Sequence, residues 1–166
     1  MQLLCQDQEK INSGLFVENL VIVDCRLLSM EKSCGIVLFY SDEFLLIQHP
    51  SKSNGTGGHW DFPKGHVEGS ETELETAKRE LFEETGIVDF RMLDGFRHRI
   101  EYNFHKDNGT VAKEVIFFLA ESNTKEVVLS SEHQNFVWLN NDLAYKKLTY
   151  TNAKEVLAAV KIFLEK

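Results

Sequence analysis

The sequence predicts an α/β chain folded as an α/β/α sandwich. Short apolar runs of strand length recur along it, one amphipathic helical segment stands among them, and a second closes the chain. The first runs are Cys34 to Tyr40, CGIVLFY, and Phe44 to Gln48, FLLIQ, separated by Ser41-Asp42-Glu43, which reads as a hairpin. Ser51 to Gly58, SKSNGTGG, is a loop by composition. It lacks the Lys-Ser/Thr ending of a phosphate-cradling P-loop and reads as a connector. Leu74, Ala77 and Leu81 then fall at helical spacing, with Ser70 and Glu73 as a capping box and Gly86 as a stop, predicting a helix from Glu71 to about Thr85. Strands follow at Phe96 to His105, Glu114 to Leu119 and Phe136 to Leu139, with Lys106 to Thr110 turning between the first two. From Thr151, Val156, Ala159, Val160 and Phe163 repeat at helical spacing.

With 166 residues, 43% apolar and 27% charged, the chain reads as one globular domain with a substantial core. The opening MQLLCQDQEK has neither the basic start nor the apolar run of a signal peptide, and no stretch is long and apolar enough to span a bilayer. A soluble intracellular protein is expected. Cys5, Cys25 and Cys34 are odd in number and form no CxxC pair, so they read as reduced thiols, which fits a cytoplasmic setting. The net charge of −8 and the absence of a basic stripe argue against extended nucleic acid as a partner. A small phosphorylated substrate with its own magnesium can enter if a few cations meet it locally. Oligomeric state has no signature in this sequence.

The chemistry concentrates in GHVEGSETELETAKRELFEETGI, Gly65 to Ile87. Glu80, Glu83 and Glu84 lie at i, i+3 and i+4, within roughly a 100° arc of one helix face. Like charges at these spacings destabilise a helix by a few tenths of a kcal/mol each, and by more where a cleft wall reduces screening. A hard divalent cation held by oxygen ligands compensates that conflict. The bland alternative is a solvated acidic face, and it loses ground because Gly65, Glu71, Arg79 and Gly86 stand in register with the glutamates.

The full pattern is Gly65, five residues, Glu71, seven residues, Arg79-Glu80-Leu81, one residue, Glu83-Glu84, one residue, Gly86-Ile87. This resembles the signature of the Nudix hydrolases, which cleave a nucleoside diphosphate linked to another group. The resemblance begins near Met30 and implies a mixed central sheet with the acidic helix in a loop-helix-loop metal site. A Nudix domain over 30–166 would leave 1–29 as an extension. Its apolar run Leu20 to Val23 is either an added strand or helix, or part of an upstream read-through with Met30 as the natural start.

The flanks resemble the subgroup of asymmetric diadenosine tetraphosphate hydrolases: His59-Trp60, Pro63-Lys64-Gly65-His66, Glu68, Gly95-Phe96, Ser131-Glu132-His133-Gln134 and Trp138-Leu139. That likeness implies magnesium or manganese held by Glu80, Glu83, Glu84 and the Gly65 carbonyl, with Glu71 and Arg79 paired to orient the motif. The general base is then a glutamate of the box or Glu132. His59 and Lys64 are expected at the oligophosphate, and Tyr102 and Tyr150 around the adenine. Lys113 is a further substrate contact, with a lengthened turn between Tyr102 and Lys113 leaving its position open. The implied reaction is asymmetric cleavage of diadenosine tetraphosphate to ATP and AMP. The alternatives are trimming of RNA 5′ ends in the manner of decapping enzymes, and an inactive nucleotide-binding regulator. The acidic surface opposes the first, and the intact box opposes the second.

Overall fold

A computed structural model describes residues 30–51, 57–106 and 109–166. The extension 1–29, with its Leu20 to Val23 run, Cys5 and Cys25, lies outside the described residues, as do most of the Ser51 to Gly58 connector and the tip of the Lys106 to Thr110 turn. Ten elements follow in order: β1 (Met30–Tyr40), β2 (Glu43–Gln48), β3 (Trp60–Asp61), β4 (Lys64–His66), α1 (Glu73–Thr85), β5 (Phe90–Lys106), β6 (Gly109–Ser122), β7 (Asn135–Asn140), α2 (Asn141–Lys147) and α3 (Thr151–Leu164). The sheet runs β3-β2-β1-β6-β5, with β4 also paired to β1 and β7 to β2. It is mixed because β1 and β6 are parallel while the other pairs are antiparallel.

β1 explains why CGIVLFY is an unbroken apolar run. Alternate residues of a strand point to opposite faces, and here both faces are covered. Cys34, Ile36 and Leu38 join Ala77 and Leu81 of α1 in one core cluster. Val37 and Phe39 join Ala153, Val156, Leu157 and Val160 of α3 in the other. The sandwich is therefore two cores back to back, with β1 shared by both.

The start of α1 departs from expectation. The helix begins at Glu73, and its capping box is Thr72 with Glu75. Both Ser70/Glu73 and Thr72/Glu75 fit the local pattern, but Glu73 is taken by Lys32 of β1 and Arg97 of β5, at 2.7 and 2.8 Å. Leu74, grouped by spacing with the core residues, is exposed. The stop behaves as read: Gly86 takes a left-handed conformation, φ 69°, and its N–H donates to the Phe82 carbonyl.

The first hairpin is tighter than expected, since Tyr40 pairs with Glu43 and only Ser41 and Asp42 form the turn. Between Tyr102 and Lys113 the extra length is strand, not loop. β5 and β6 stay paired out to Lys106 opposite Gly109, and this puts Tyr102 directly across from Lys113. Two short strands, β3 and β4, and the seven-residue α2 are additions that the sequence reading lacked.

Candidate active site on the acidic helix

β4 carries the loop side of the site. Cys34 pairs with Gly65 and Gly35 with Lys64, so the Pro63-Lys64-Gly65-His66 segment lies flat against β1. From there the Lys64 N–H donates to Glu84 Oε2 at 2.9 Å, joining the loop to the last turn of α1. Gly65 lies against Glu80, and a Cβ built on it would sit 2.0 Å from the Glu80 carboxyl carbon. Only a residue without a side chain lets that carboxylate come so near the loop backbone.

Arg79 binds this assembly together. Its Nε and one terminal nitrogen donate to the two oxygens of Glu71 at 2.7 and 3.0 Å. The same terminal nitrogen reaches the His66 carbonyl at 2.8 Å, and the other donates to Glu80 and Glu83 at 2.9 and 3.0 Å. Glu71 lies ahead of the helix, not within it, and reaches Arg79 from the loop. Its carboxyl is held down at about 2, chiefly by Arg79, with Thr76 and the Glu68 backbone adding to the effect. Bidentate pairing of this kind fixes geometry as well as charge.

The three face glutamates sit in unequal surroundings. Glu84 is buried, Glu80 is largely buried, and the Glu83 side chain is 53% exposed. Burial pushes the Glu80 carboxyl above its ordinary value; Arg79 pulls it down, and Glu84 and Glu83 push it up again. Among the described residues the carboxylates are not gathered into a ready cage, because Arg79 occupies Glu80 and Glu83. The donor set still suits a hard divalent cation: it is all oxygen, and it crowds negative charge near Gly65.

A second group of residues lines the approach. Trp60 N–H donates to Thr149 Oγ1 at 2.9 Å and Thr149 N–H to the Trp60 carbonyl at 3.2 Å, bringing the start of α3 beside β3. The rings of His59 and Tyr150 consequently meet at 5.3 Å. Lys64 Nζ lies 2.9 Å from Asp61. Burial alone would push this ammonium down, but Asp61 and then Glu84 outweigh it, and the group stays above its ordinary value. Lys64 thus already has a carboxylate partner in Asp61, a pairing that no local sequence pattern marks. Tyr102 is half buried against the α3-side core, and its hydroxyl is pushed up by burial, with Lys64, Asp61 and Tyr150 close enough to be felt. Across the strands, Lys113 Nζ approaches His66 Nε2 at 3.4 Å, and Tyr102 and Lys113 line a shallow cavity of about 260 Å³.

Glu132 lies exposed in the turn before β7, while its neighbour His133 is turned inward and buried. His133 Nε2 is 3.3 Å from Glu84 Oε1. His49, at the end of β2, stacks on His59 at 4.3 Å with rings 4° from parallel and meets His133 edge-on at 4.6 Å. Burial, followed by the nearby positive charge of Lys64, pushes His49 down to about 2, so it is neutral. Neither His49 nor His133 was singled out from sequence. The one available signal was the place of His133 beside Glu132 in a segment already marked, where adjacent residues face opposite ways.

The model of the NUDIX domain family matches residues 31–160. The chain belongs to the Nudix family. As a Nudix hydrolase it falls among enzymes that generally use divalent metal ions. It is 38% identical over 140 residues to the rat protein named bis(5'-nucleosyl)-tetraphosphatase [asymmetrical], a match spanning 76% of this chain and 90% of the relative. A Caenorhabditis elegans protein of the same name is 33% identical over 138 residues, spanning 80% of this chain and 96% of the relative. Among solved structures, a C. elegans Ap4A hydrolase binary complex superposes with a TM-score of 0.70 at 30% identity, covering 81% of this chain and 98% of that one. The mixed sheet flanked by helices is thus the Nudix fold. Among the described residues no helix is long and apolar enough to cross a membrane.

Proposed function

We propose that this Nudix hydrolase cleaves dinucleoside tetraphosphates asymmetrically, converting diadenosine tetraphosphate to ATP and AMP. The observation that carries the reading is the pairing of the glutamate face of α1 with an aromatic and cationic wall: Tyr150 on His59, and Tyr102 opposite Lys113, around Lys64. Two bases joined by a long polyphosphate need those features together, and the names of the rat and nematode relatives support the same substrate.

In the reaction, the oxygen of a water attacks one phosphorus, the bridging P–O bond on its far side breaks, and the water gives up a proton. Glu80, Glu83 and Glu84 with the Gly65 carbonyl would hold the divalent ion, magnesium or manganese. When bound, such an ion would supply positive charge beside the phosphate chain and lower the pKa of the attacking water. Arg79 and Glu71 keep the loop and helix in register, with Glu80 against Gly65 and Glu84 on the Lys64 N–H. Lys64 and Lys113 offer positive charge to the phosphate chain, His59 borders it, and Tyr102 and Tyr150 stack on adenine. Glu132 is the loop candidate for general base and a box glutamate the alternative. Loss of the acidic limb in the pH–rate profile of Glu132→Gln, the limb on which a general base is protonated, assigns the role to the loop, and an unchanged profile assigns it to the box.

Product analysis over a panel of dinucleoside polyphosphates, nucleoside triphosphates and triphosphorylated RNA tests the substrate. The expected result is fastest turnover of diadenosine tetraphosphate, with ATP and AMP in equal amounts. Symmetric cleavage to two ADP, or an RNA turned over far faster, would overturn the proposal. A reducing cytoplasm is the proposed setting, in which Cys34 remains a buried free thiol.

A further inference from the structure

The inward turn of His133 has no part in the reaction as derived so far, yet its surroundings are built with care. The loop that carries it is tied to the end of α1 by two backbone bonds, Val128 N–H to the Thr85 carbonyl at 2.9 Å and Ser130 N–H to the Glu84 carbonyl at 3.0 Å. It is tied to β2 by a third, from Gln134 N–H to the Gln48 carbonyl at 2.8 Å. Within the loop, His133 N–H donates to the Ser130 carbonyl at 3.2 Å, and the Ser130 hydroxyl lies 2.9 Å from His133 Nδ1. The side chain is 2% exposed, and its free side is closed by the edge-on contact with His49. What remains is Nε2. It is buried, it lies 3.3 Å from Glu84 Oε1, and it is not aligned well enough to make a hydrogen bond. A buried ring nitrogen without a partner is costly to keep, and such a group in a native fold calls for an explanation.

We propose that His133 is a positioning residue for Glu84: the Ser130 hydroxyl donates to Nδ1, this places the ring proton on Nε2, and Nε2–H is presented to Glu84 Oε1. Glu84 already accepts from the Lys64 N–H through Oε2. A second donor on Oε1 fixes the rotation of the carboxylate and leaves its remaining lone pairs free for the divalent ion it would hold. The backbone bond from Ser130 to Glu84 makes the arrangement self-consistent, because the residue being oriented also anchors the loop that orients it. The inference rests on the proposed role of Glu84 as a metal carboxylate and is independent of which nucleotide is cleaved.

The test is binding of Mn²⁺ to the full chain without substrate, followed by the spectrum of free ion, with thermal unfolding recorded on each variant. His133→Gln can place an N–H near the position of Nε2. His133→Asn reaches only the position of Nδ1, and His133→Leu offers no donor. The expected order is near-wild-type affinity for Gln, with affinity about 10- to 100-fold weaker for Asn and Leu. Ser130→Ala, which removes the tautomer control, should fall between them. Ring packing alone would predict equal loss in Gln and Asn with falling Tm, and that pattern overturns the inference. If Leu fails to fold, the Gln and Asn pair still decides. Wild-type affinity in Asn, with weakened binding in Glu84→Gln, would remove His133 from the site and leave the proposed function standing. Unchanged affinity in Glu84→Gln would overturn both.

Discussion

Replacing Gly65 by Ala puts the smallest possible probe into the proposed metal site. The added Cβ would sit 2.0 Å from the Glu80 carboxyl carbon and 2.1 Å from each of its oxygens, so the carboxylate must leave its position. Gly65 is not among the residues with positive φ, and its backbone can therefore accept Ala. Moving the end of a flexible side chain off its rotamer costs about 0.5–1.5 kcal/mol, and weakening its charge-assisted bond from Arg79 adds about 1–2. The lower entropy of the unfolded Ala chain offsets about 0.4–1 of this. The net loss is about 0.5–3 kcal/mol, a fall in Tm of roughly 1–12 °C for a domain of this size. Metal binding should suffer far more, by about 10- to 100-fold, because one ligand is displaced while the fold persists. Thermal unfolding and a Mn²⁺ titration on the same protein separate the two effects. Adding Glu80→Asp to this variant shortens the side chain and should restore Tm without restoring metal affinity. A folded Gly65→Ala protein with wild-type metal affinity would refute the reasoning. So would outright unfolding, which would mean that backbone, not a carboxylate, resists the Cβ.

Tyr150 is half exposed and meets His59, so Tyr150→Ala should raise KM about tenfold to a hundredfold with Tm nearly unchanged; Tyr102→Ala, cut from a residue packed on the core, should lower both affinity and Tm. An unchanged KM in either removes that tyrosine from the base site. The Glu73 carboxyl is held at about 2, first by Arg97 and then by Lys32, against an ordinary value of 4.5. A depressed carboxyl adds stability that is present above 4.5 and lost as pH falls toward 2, so Glu73→Gln should flatten the decline of unfolding free energy across that window. A decline as steep as wild type would show that other acids carry it. The family match starts at residue 31, and a protein beginning at Met30 is expected to unfold cooperatively and keep its rate. Loss of either would assign 1–29 to the working enzyme.

What was legible in the sequence was whatever repeats at a fixed local spacing. The 3.6-residue period marked α1 and α3, and Gly86 could be read as the stop because a left-handed cap needs no side chain. The face shared by Glu80, Glu83 and Glu84, and the register of Gly65, Glu71 and Arg79 with it, are one-dimensional facts that the fold preserves. Elements too short to show a period were not legible: β3, β4 and α2 exist because neighbours hold them, as Thr149 holds Trp60. The capping box could not be chosen locally, since two overlapping patterns fit equally well. Tertiary ion pairs from β1 and β5 claimed Glu73 and left Thr72 and Glu75 to cap the helix. The same holds for direction. Glu132 and His133 are adjacent in the chain, and only the bonds from the loop to Glu84 and Gln48 decide that the histidine turns in toward the glutamate face while the acid remains in water. His49, His59 and His133 are scattered in the sequence, and they come together because β2, the β3 approach and the β7 loop share one edge of the sheet. Contacts between such distant segments leave no periodic trace, so the chain alone specifies the glutamate face, and the packing of the sheet specifies what surrounds it.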